Sequence, residues 1–347
     1  MTRRPVSLPP HPELTRPPPP PPDLLSDLLQ TVRLNGAIFF TMDVGTPWPP
    51  VRVPHGRALA AALAPRVQNL ISYHVVTEGW CWAGLYGSAP VKIERGDVVV
   101  FPKGDEYWLN SAPTPPGPPS LPETVPYLQG HMRRELPFRL ILGSERQRAG
   151  FICGFLGCDD LPFNPLLESL PGLLIVRHDE HHELRGRIDA LVQFVLAEST
   201  GRQGEETVRM RLSELLFVEV VRHHLASLPS AQTGWLAGLR DEVVGKAIAL
   251  LHREPAKDWS LASLSKAAGA SRTVLSERFS KLIGQPPMQY LTRWRIQLAS
   301  ELLRGPRKVS AVAQEVGYES EAAFSRAFKK VAGVGPAAWR RGEAKRA

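Results

Sequence analysis

Apolar and polar positions divide this chain into two unlike parts. In the first, short apolar runs rich in β-branched and aromatic residues are closed by Gly or Pro: GAIFFTMDV, LISYHVVTEG, WCWAGLYG, APVKIERGDVVVFPKG, FRLILGS and GFICGFL. Such runs predict short strands, and their succession predicts a small barrel or jelly roll. Further on the period lengthens. Glu183–Glu198 and Glu205–Leu228 read as two long helices, and after SLPSAQTG everything from Leu239 onward carries helical spacing. The class expected is therefore α+β, with an N-terminal β domain and a C-terminal all-α domain. The first 22 residues are proline-rich and read as a disordered tail, a short amphipathic helix is expected from Asp23, and NSAPTPPGPPSLPETVP reads as a loop.

The helical third contains one unit written twice. WSLASLSKAAGASRTVLSERFSKLIG and RKVSAVAQEVGYESEAAFSRAFKKVAG each give a short helix (Leu261–Ala268, Val309–Val316), a turn glycine (Gly269, Gly317), a serine N-cap (Ser271, Ser320) and a second helix. In the second helices Leu275/Phe279 and Phe324/Phe328 hold matching apolar places, which makes each unit a helix-turn-helix. From Arg272 to Glu321 the offset is 49 residues. The segment between, Met288–Leu303, predicts a helix of roughly 24 Å, a spacer able to set two recognition helices in successive major grooves about 34 Å apart.

Charge gives these helices a partner. The 347 residues carry a net +8, but Arg240–Ala347 alone holds 20 Lys+Arg against 10 Asp+Glu, and the remainder is slightly acidic. A polyanion is the expected partner of the C-terminal domain. Three cysteines make no disulfide framework, and no apolar run reaches a membrane span or a signal-peptide core, so a cytoplasmic protein with no membrane partner is expected.

The strings PMQYLTRWRIQLA (Pro287–Ala299), AQEVGYESEAAFSRAFKK (Ala313–Lys330) and GVGPAAWRR (Gly333–Arg341) resemble the DNA-binding domain of the AraC/XylS transcription regulators. The resemblance covers about the last hundred residues and implies double-stranded DNA as partner, with RNA polymerase a further candidate. Helix position puts Arg272, Thr273, Ser276 and Glu277 on the exposed face of the first recognition helix, and Glu321, Ala322, Ser325 and Arg326 on that of the second. Arg326 matches a family arginine that meets DNA, and arginine can grip guanine O6 and N7 together. Lys281, Lys329 and Lys330 suit phosphates. Glu277 suits either a cytosine amino group or an i,i+4 pair with Lys281. Trp294 and Arg295 are expected to be structural.

The N-terminal strings SYHVVTEGWCW (Ser72–Trp82) and GDVVVFPKGDEYWLN (Gly96–Asn110) resemble the cupin-type sensor domain of one branch of that family. A metal-holding cupin needs several converging imidazole or carboxylate donors. Here Val76 stands where the second histidine of the pair belongs and Tyr107 where the later one does, so neither a metal nor any other cofactor is expected. His74, Glu78, Trp82 and Tyr107 are the expected lining of a small-molecule effector pocket. His178, His181 and His182 read as a solvated helix entrance. Cys153 and Cys158, five residues apart, should face opposite sides of a strand. With Cys81 they are either buried inert thiols or the basis of a redox switch. RIDALVQFVLAES resembles the family's dimerisation helix, and the stripe Leu212, Leu215, Leu216, Val220 and Leu225 follows it.

The expected organisation is a tail at 1–22, a cupin-like effector domain at 23–175, a helical dimerisation segment at 176–230, a linker at 231–238 and a double helix-turn-helix domain at 239–345. The function expected is a homodimeric, effector-controlled transcription regulator without enzymatic activity. A thiol-based redox regulator and a metal-dependent cupin enzyme with a DNA-binding tail are the alternatives.

Overall fold

The computed structural model describes residues 34, 37–45, 48–64, 67–118, 128–129, 138–143, 148–158, 162–179, 182–197, 205–229 and 234–342. The expected tail, all but the last residue of the helix expected from Asp23, the second half of the proline-rich loop and His181 lie outside them. Among the described residues the N-terminal domain holds ten strands: β1 (Ala37–Gly45), β2 (Val51–Val53), β3 (Asn69–Glu78), β4 (Trp80–Leu85), β5 (Val91–Glu94), β6 (Val98–Phe101), β7 (Tyr107–Asn110), β8 (Phe138–Gly143), β9 (Arg148–Cys158) and β10 (Leu174–Val176). Helices α1 (Gly56–Leu63) and α2 (Pro165–Ser169) interrupt them. Neither α1, α2, β2 nor β10 was expected from the sequence. Each is short, and a run of three to eight residues carries too little period to register.

The strands form two facing sheets, one of order β10-β6-β3-β9-β1-β8 and one of order β2-β7-β4-β5, antiparallel except for the β1–β8 pair. Between them lies one core, with Phe40, Met42, Val76, Val99, Phe151 and Cys153 from the large sheet and Val53, Cys81, Ile93 and Leu109 from the small one. The large sheet is covered on its other face as well. Phe39, Ile71, Tyr73, Val75 and Ile152 pack there against helix α4 (Glu205–Ser227), which follows α3 (His182–Ala197). Burial on both faces explains why β3 and β9 read as continuous apolar runs instead of alternating. Tyr73 passes between the two layers: its hydroxyl lies 2.6 Å from Ser213 Oγ on α4, and its ring occupies the space a Cβ at Gly154 would need.

The C-terminal domain comprises α5 (Trp235–Arg240), α6 (Glu242–Arg253), α7 (Leu261–Ala268), α8 (Arg272–Ile283), α9 (Pro287–Leu302), α10 (Val309–Glu315), α11 (Glu321–Ala332) and α12 (Pro336–Arg340). One expectation is corrected here. The segment expected to be a linker at 231–238 contains the start of α5, whose Trp235 and Leu236 are buried. Trp235 follows Gly234 directly, and its indole fills the C-terminal core. Two cores serve this domain. The first runs without a break from the outer face of the large sheet through α4, Phe163 and Leu166 to Trp235, Ile248, Leu264, Phe279, Tyr290 and Trp294. The second is separate: Ile296, Ala299, Leu303, Val312, Phe324, Phe328 and Trp339. Among the described residues no helix is long and apolar enough to cross a membrane.

Candidate nucleic-acid interface

The two repeated units fold alike because the same few residues punctuate them. Gly269 ends α7 at φ 76° and Gly317 follows α10 at φ 84°, left-handed conformations that glycine adopts without a Cβ penalty. Ser271 Oγ then accepts from the Val274 N–H at 3.2 Å to start α8, and Ser320 Oγ from the Ala323 N–H at 3.2 Å to start α11. These bonds satisfy one of the orphan donors at each helix start. Leu275 and Phe279 anchor α8, and Phe324 and Phe328 anchor α11, all fully buried.

Opposite those anchors the expected reading residues face solvent. Arg272, Thr273, Glu277 and Lys281 are exposed on α8 with Ser276 half-buried; Glu321, Ala322, Arg326, Lys329 and Lys330 are exposed on α11 with Ser325 half-buried. Among the described residues Glu277 and Lys281 form no ion pair, so the ordinary i,i+4 account of Glu277 is not realised. Arg278, a neighbouring cation on α8, is already engaged. Its guanidinium binds the carboxylate of Asp241, whose other oxygen caps α6 by accepting from the Val243 and Val244 N–H groups.

The spacer α9 holds both units. Trp294 is buried and stacks on His252 with ring centroids 3.9 Å apart. His252 Nε2 lies 2.7 Å from the Tyr290 hydroxyl, which accepts from Trp235 Nε1 at 2.9 Å. Burial pulls the His252 pKa down to about 3, so the ring is neutral. Arg295 donates to three backbone carbonyls: Pro255 at 2.7 Å, Lys257 at 2.8 Å and Gly317 at 3.1 Å. The first two belong to the α6–α7 loop of the first unit and the third to the turn of the second. Trp294 and Arg295 are thus structural, and Arg295 ties the units to each other. Spacing alone gives no signal for that tie, because its partners are carbonyls.

In the N-terminal domain the four residues expected to line one pocket are divided. His74 and Tyr107 meet inside the barrel, with Nε2 2.7 Å from the phenol oxygen, and His74 Nδ1 lies 2.9 Å from Cys153 Sγ. Glu78 and Trp82 do not join them. A bulge between Val76 and Glu78 turns Glu78 out to solvent, and on β4 it is Cys81, next to Trp82, that faces the core. The residues do not fit a metal: both ring nitrogens of His74 are occupied by neighbouring side chains, and among the described residues no group of three or more His, Cys, Asp or Glu is placed to hold an ion. Burial lowers the His74 pKa to about 3.

Cys153 and Cys158 face opposite sides of the large sheet, as an odd separation requires. Cys81 shares a core with Cys153 and not with Cys158, so of the two only Cys153 is within its layer. Burial pushes the thiols of Cys81 and Cys153 well above their usual range, which suppresses the thiolate an oxidant attacks. At the histidine-rich helix entrance His178 is exposed, as a solvated segment requires. His178 donates its backbone N–H to Asp97 Oδ1 at 2.9 Å and lies 3.1 Å from it through Nδ1, while Arg177 donates to Asp97 Oδ2 at 2.8 Å. Burial alone would raise the Asp97 pKa, but these bonds and the Glu94 N–H hold it below the usual carboxylate value.

Comparison with known proteins matches both halves. A cupin profile matches residues 23–226, and a helix-turn-helix domain profile matches residues 264–342. A putative AraC-like transcription regulator of Streptomyces lividans is 33% identical over 296 residues, covering 83% of this chain and 91% of its own. The HTH-type transcriptional regulator AlkR of Acinetobacter baylyi is 26% identical over 312 residues, covering 89% and 95%. Among solved structures, the DNA-binding domain of AdpA in complex with a target DNA is 27% identical, with a TM-score of 0.29, covering 30% of this chain and 96% of that one.

Proposed function

Because the chain belongs to the AraC family of transcription regulators, with an N-terminal cupin domain and a C-terminal helix-turn-helix region that binds DNA, we propose that it reads a bipartite operator with α8 and α11 under control of a signal sensed in the cupin domain. It is a regulator and not an enzyme. The observation that carries this reading is the pair of recognition helices, each capped by serine, anchored by two buried side chains and turned polar face outward. Arg326 and Arg272 are the base-reading candidates, with Glu277 a partner for a cytosine amino group. Lys281, Lys329 and Lys330 grip phosphates.

A homodimer suits this arrangement, because two copies bring paired heads to a repeated or palindromic site. The apolar stripe on α4 is divided. Leu216 and Val220 pack inward, while Leu215 is 50% exposed and Phe194 on α3 is 59% exposed. Two large apolar side chains left in water on adjacent helices favour a partner surface there. His74 and Tyr107 are polar groups facing the barrel interior and are the effector candidates.

Selection of genomic fragments by the purified protein, followed by footprinting, tests the assignment. Two protected patches about one helical turn apart per protomer are expected. Binding without sequence preference would overturn it. Elemental analysis should give no stoichiometric Fe, Mn, Ni or Zn, and one metal per chain would revive the cupin-enzyme alternative. The thiol-based alternative requires oxidant to change DNA binding in a cysteine-dependent way.

A further inference from the structure

The boundary between the two C-terminal cores falls inside α9, between Trp294 and Ile296. Everything before it, including α8, shares a core with the N-terminal domain. After it, α10, α11 and α12 pack in the second core, while the half-buried Leu298 of α9 touches both. Beside the Arg240 bond to the Leu228 carbonyl at 2.8 Å, one short segment forms part of the junction. Phe163 is fully buried and donates its backbone N–H to Gln297 Oε1 on α9 at 3.0 Å. Its ring lies under the Arg293 guanidinium, 3.9 Å from the centroid, and meets the Tyr290 ring edge-on at 5.7 Å. Arg293 also donates to both carboxylate oxygens of Glu168 on α2, at 2.8 and 3.1 Å. Tyr290 in turn meets Phe279, the buried anchor of α8, edge-on at 5.6 Å. A continuous path of packed rings therefore runs from Phe163 through Tyr290 to the first recognition helix. Phe324 and Phe328, the anchors of the second, have their ring contacts with Tyr318, Trp339 and each other.

We propose that the Phe163–Ser169 segment is a positioning clamp through which the N-terminal domain sets the first recognition helix and leaves the second to its own core. The physical reason is the difference in support. The α8 anchor Phe279 rests on Tyr290, whose ring also meets Phe163, so a shift of this segment changes what α8 packs on. Helix α11 rests on residues of its own unit and the end of α9. A signal received by the cupin domain therefore reaches one reading head and alters the pair's combined preference without unfolding either. This division rests on the assignment of α8 and α11 as the DNA readers.

The test uses the full chain in two variants, Phe163→Ala from the N-terminal side and Arg293→Met from the C-terminal side. Amide hydrogen exchange without DNA is expected to quicken in α8 (residues 272–283) by roughly 2- to 30-fold, the range of coupling energies carried by packed networks, and to stay unchanged in α11 (residues 321–332). In binding to single-base variants of the operator, preference at the positions read by α8 should flatten by a similar factor while the ranking at the α11 positions holds. Equal quickening in both helices, or none in a variant whose circular dichroism is native, overturns the clamp. Phe163→Ala removes a buried ring and can unfold the barrel, in which case Arg293→Met, at a partly exposed position, decides. The exchange measurement needs no DNA, so it stands or falls separately from the DNA-reading assignment.

Discussion

Gly317 and Ala256 meet backbone to backbone: a Cβ on Gly317 would lie 2.6 Å from the Ala256 carbonyl oxygen. Gly317 is the turn of the second helix-turn-helix and Ala256 lies in the α6–α7 loop of the first, so their contact and the Arg295 bonds beside it fix the angle between the two readers. Gly317→Ala meets two penalties. A non-glycine residue at φ 84° costs about 1–2 kcal/mol, and the methyl collides with backbone that cannot rotate away. The variant should unfold at lower denaturant and prefer a different spacing between the two half-sites, measured on operators lengthened or shortened by one base pair. A folded variant with unchanged spacing preference would remove the contact from the mechanism.

Arg326 projects from the polar face of α11, between the half-buried Ser325 and Ala327. Arg326→Ala should cost about 1–3 kcal/mol on the preferred operator and relax the preference at one base pair. Lys329 and Lys330 lie about a turn further on. Replacing either one that contacts phosphate should weaken binding to all sequences alike and reduce the log–log salt slope by about one. Should Arg326→Ala instead lower the salt slope and leave the ranking of operator variants intact, Arg326 is a phosphate contact.

Acid should destabilise the fold through its buried imidazoles. His74 and His252 titrate near 3 in the folded chain against an ordinary value of 6.5, so between those values the unfolded chain binds more protons. Their contribution is complete above pH 6.5 and falls as pH drops, by up to about 1.4 kcal/mol per pH unit for each ring. Denaturation at pH 7.5 and pH 5.5 should show the loss, and His252→Phe should show less of it. An identical pH dependence in wild type and variant would contradict the burial of His252 as the cause.

The C-terminal domain should need its first helix. A fragment of residues 234–347 retains Trp235 over Tyr290, whereas residues 240–347 lose it. Loss of a buried tryptophan costs about 3–5 kcal/mol, so the shorter fragment should be far less stable. The longer fragment should bind DNA more weakly than the full chain, because the α3–α4 surface is absent. Equal stability of the two fragments would place Trp235 outside the domain's core.

Elements whose causes are local were legible along the chain. Serine at an N-cap, glycine at a left-handed turn and apolar pairs four apart act within one turn of chain, which is why α7, α8, α10 and α11 stand where spacing puts them. The exposed faces follow too, since a helix with one buried stripe has only one other face to offer. The parity of Cys153 and Cys158 was legible for the same reason, as a strand alternates with period two. Tertiary structure alone decided what depends on distant partners. Phe163 meets Gln297 across 134 positions and Tyr73 meets Ser213 across 140, contacts that leave no period in the chain. His74 and Tyr107 converge because their strands lie in facing sheets, while a bulge after Val76 sends Glu78 outward. Trp235 is a core residue only because Tyr290 and the rest of the first C-terminal core are brought against it.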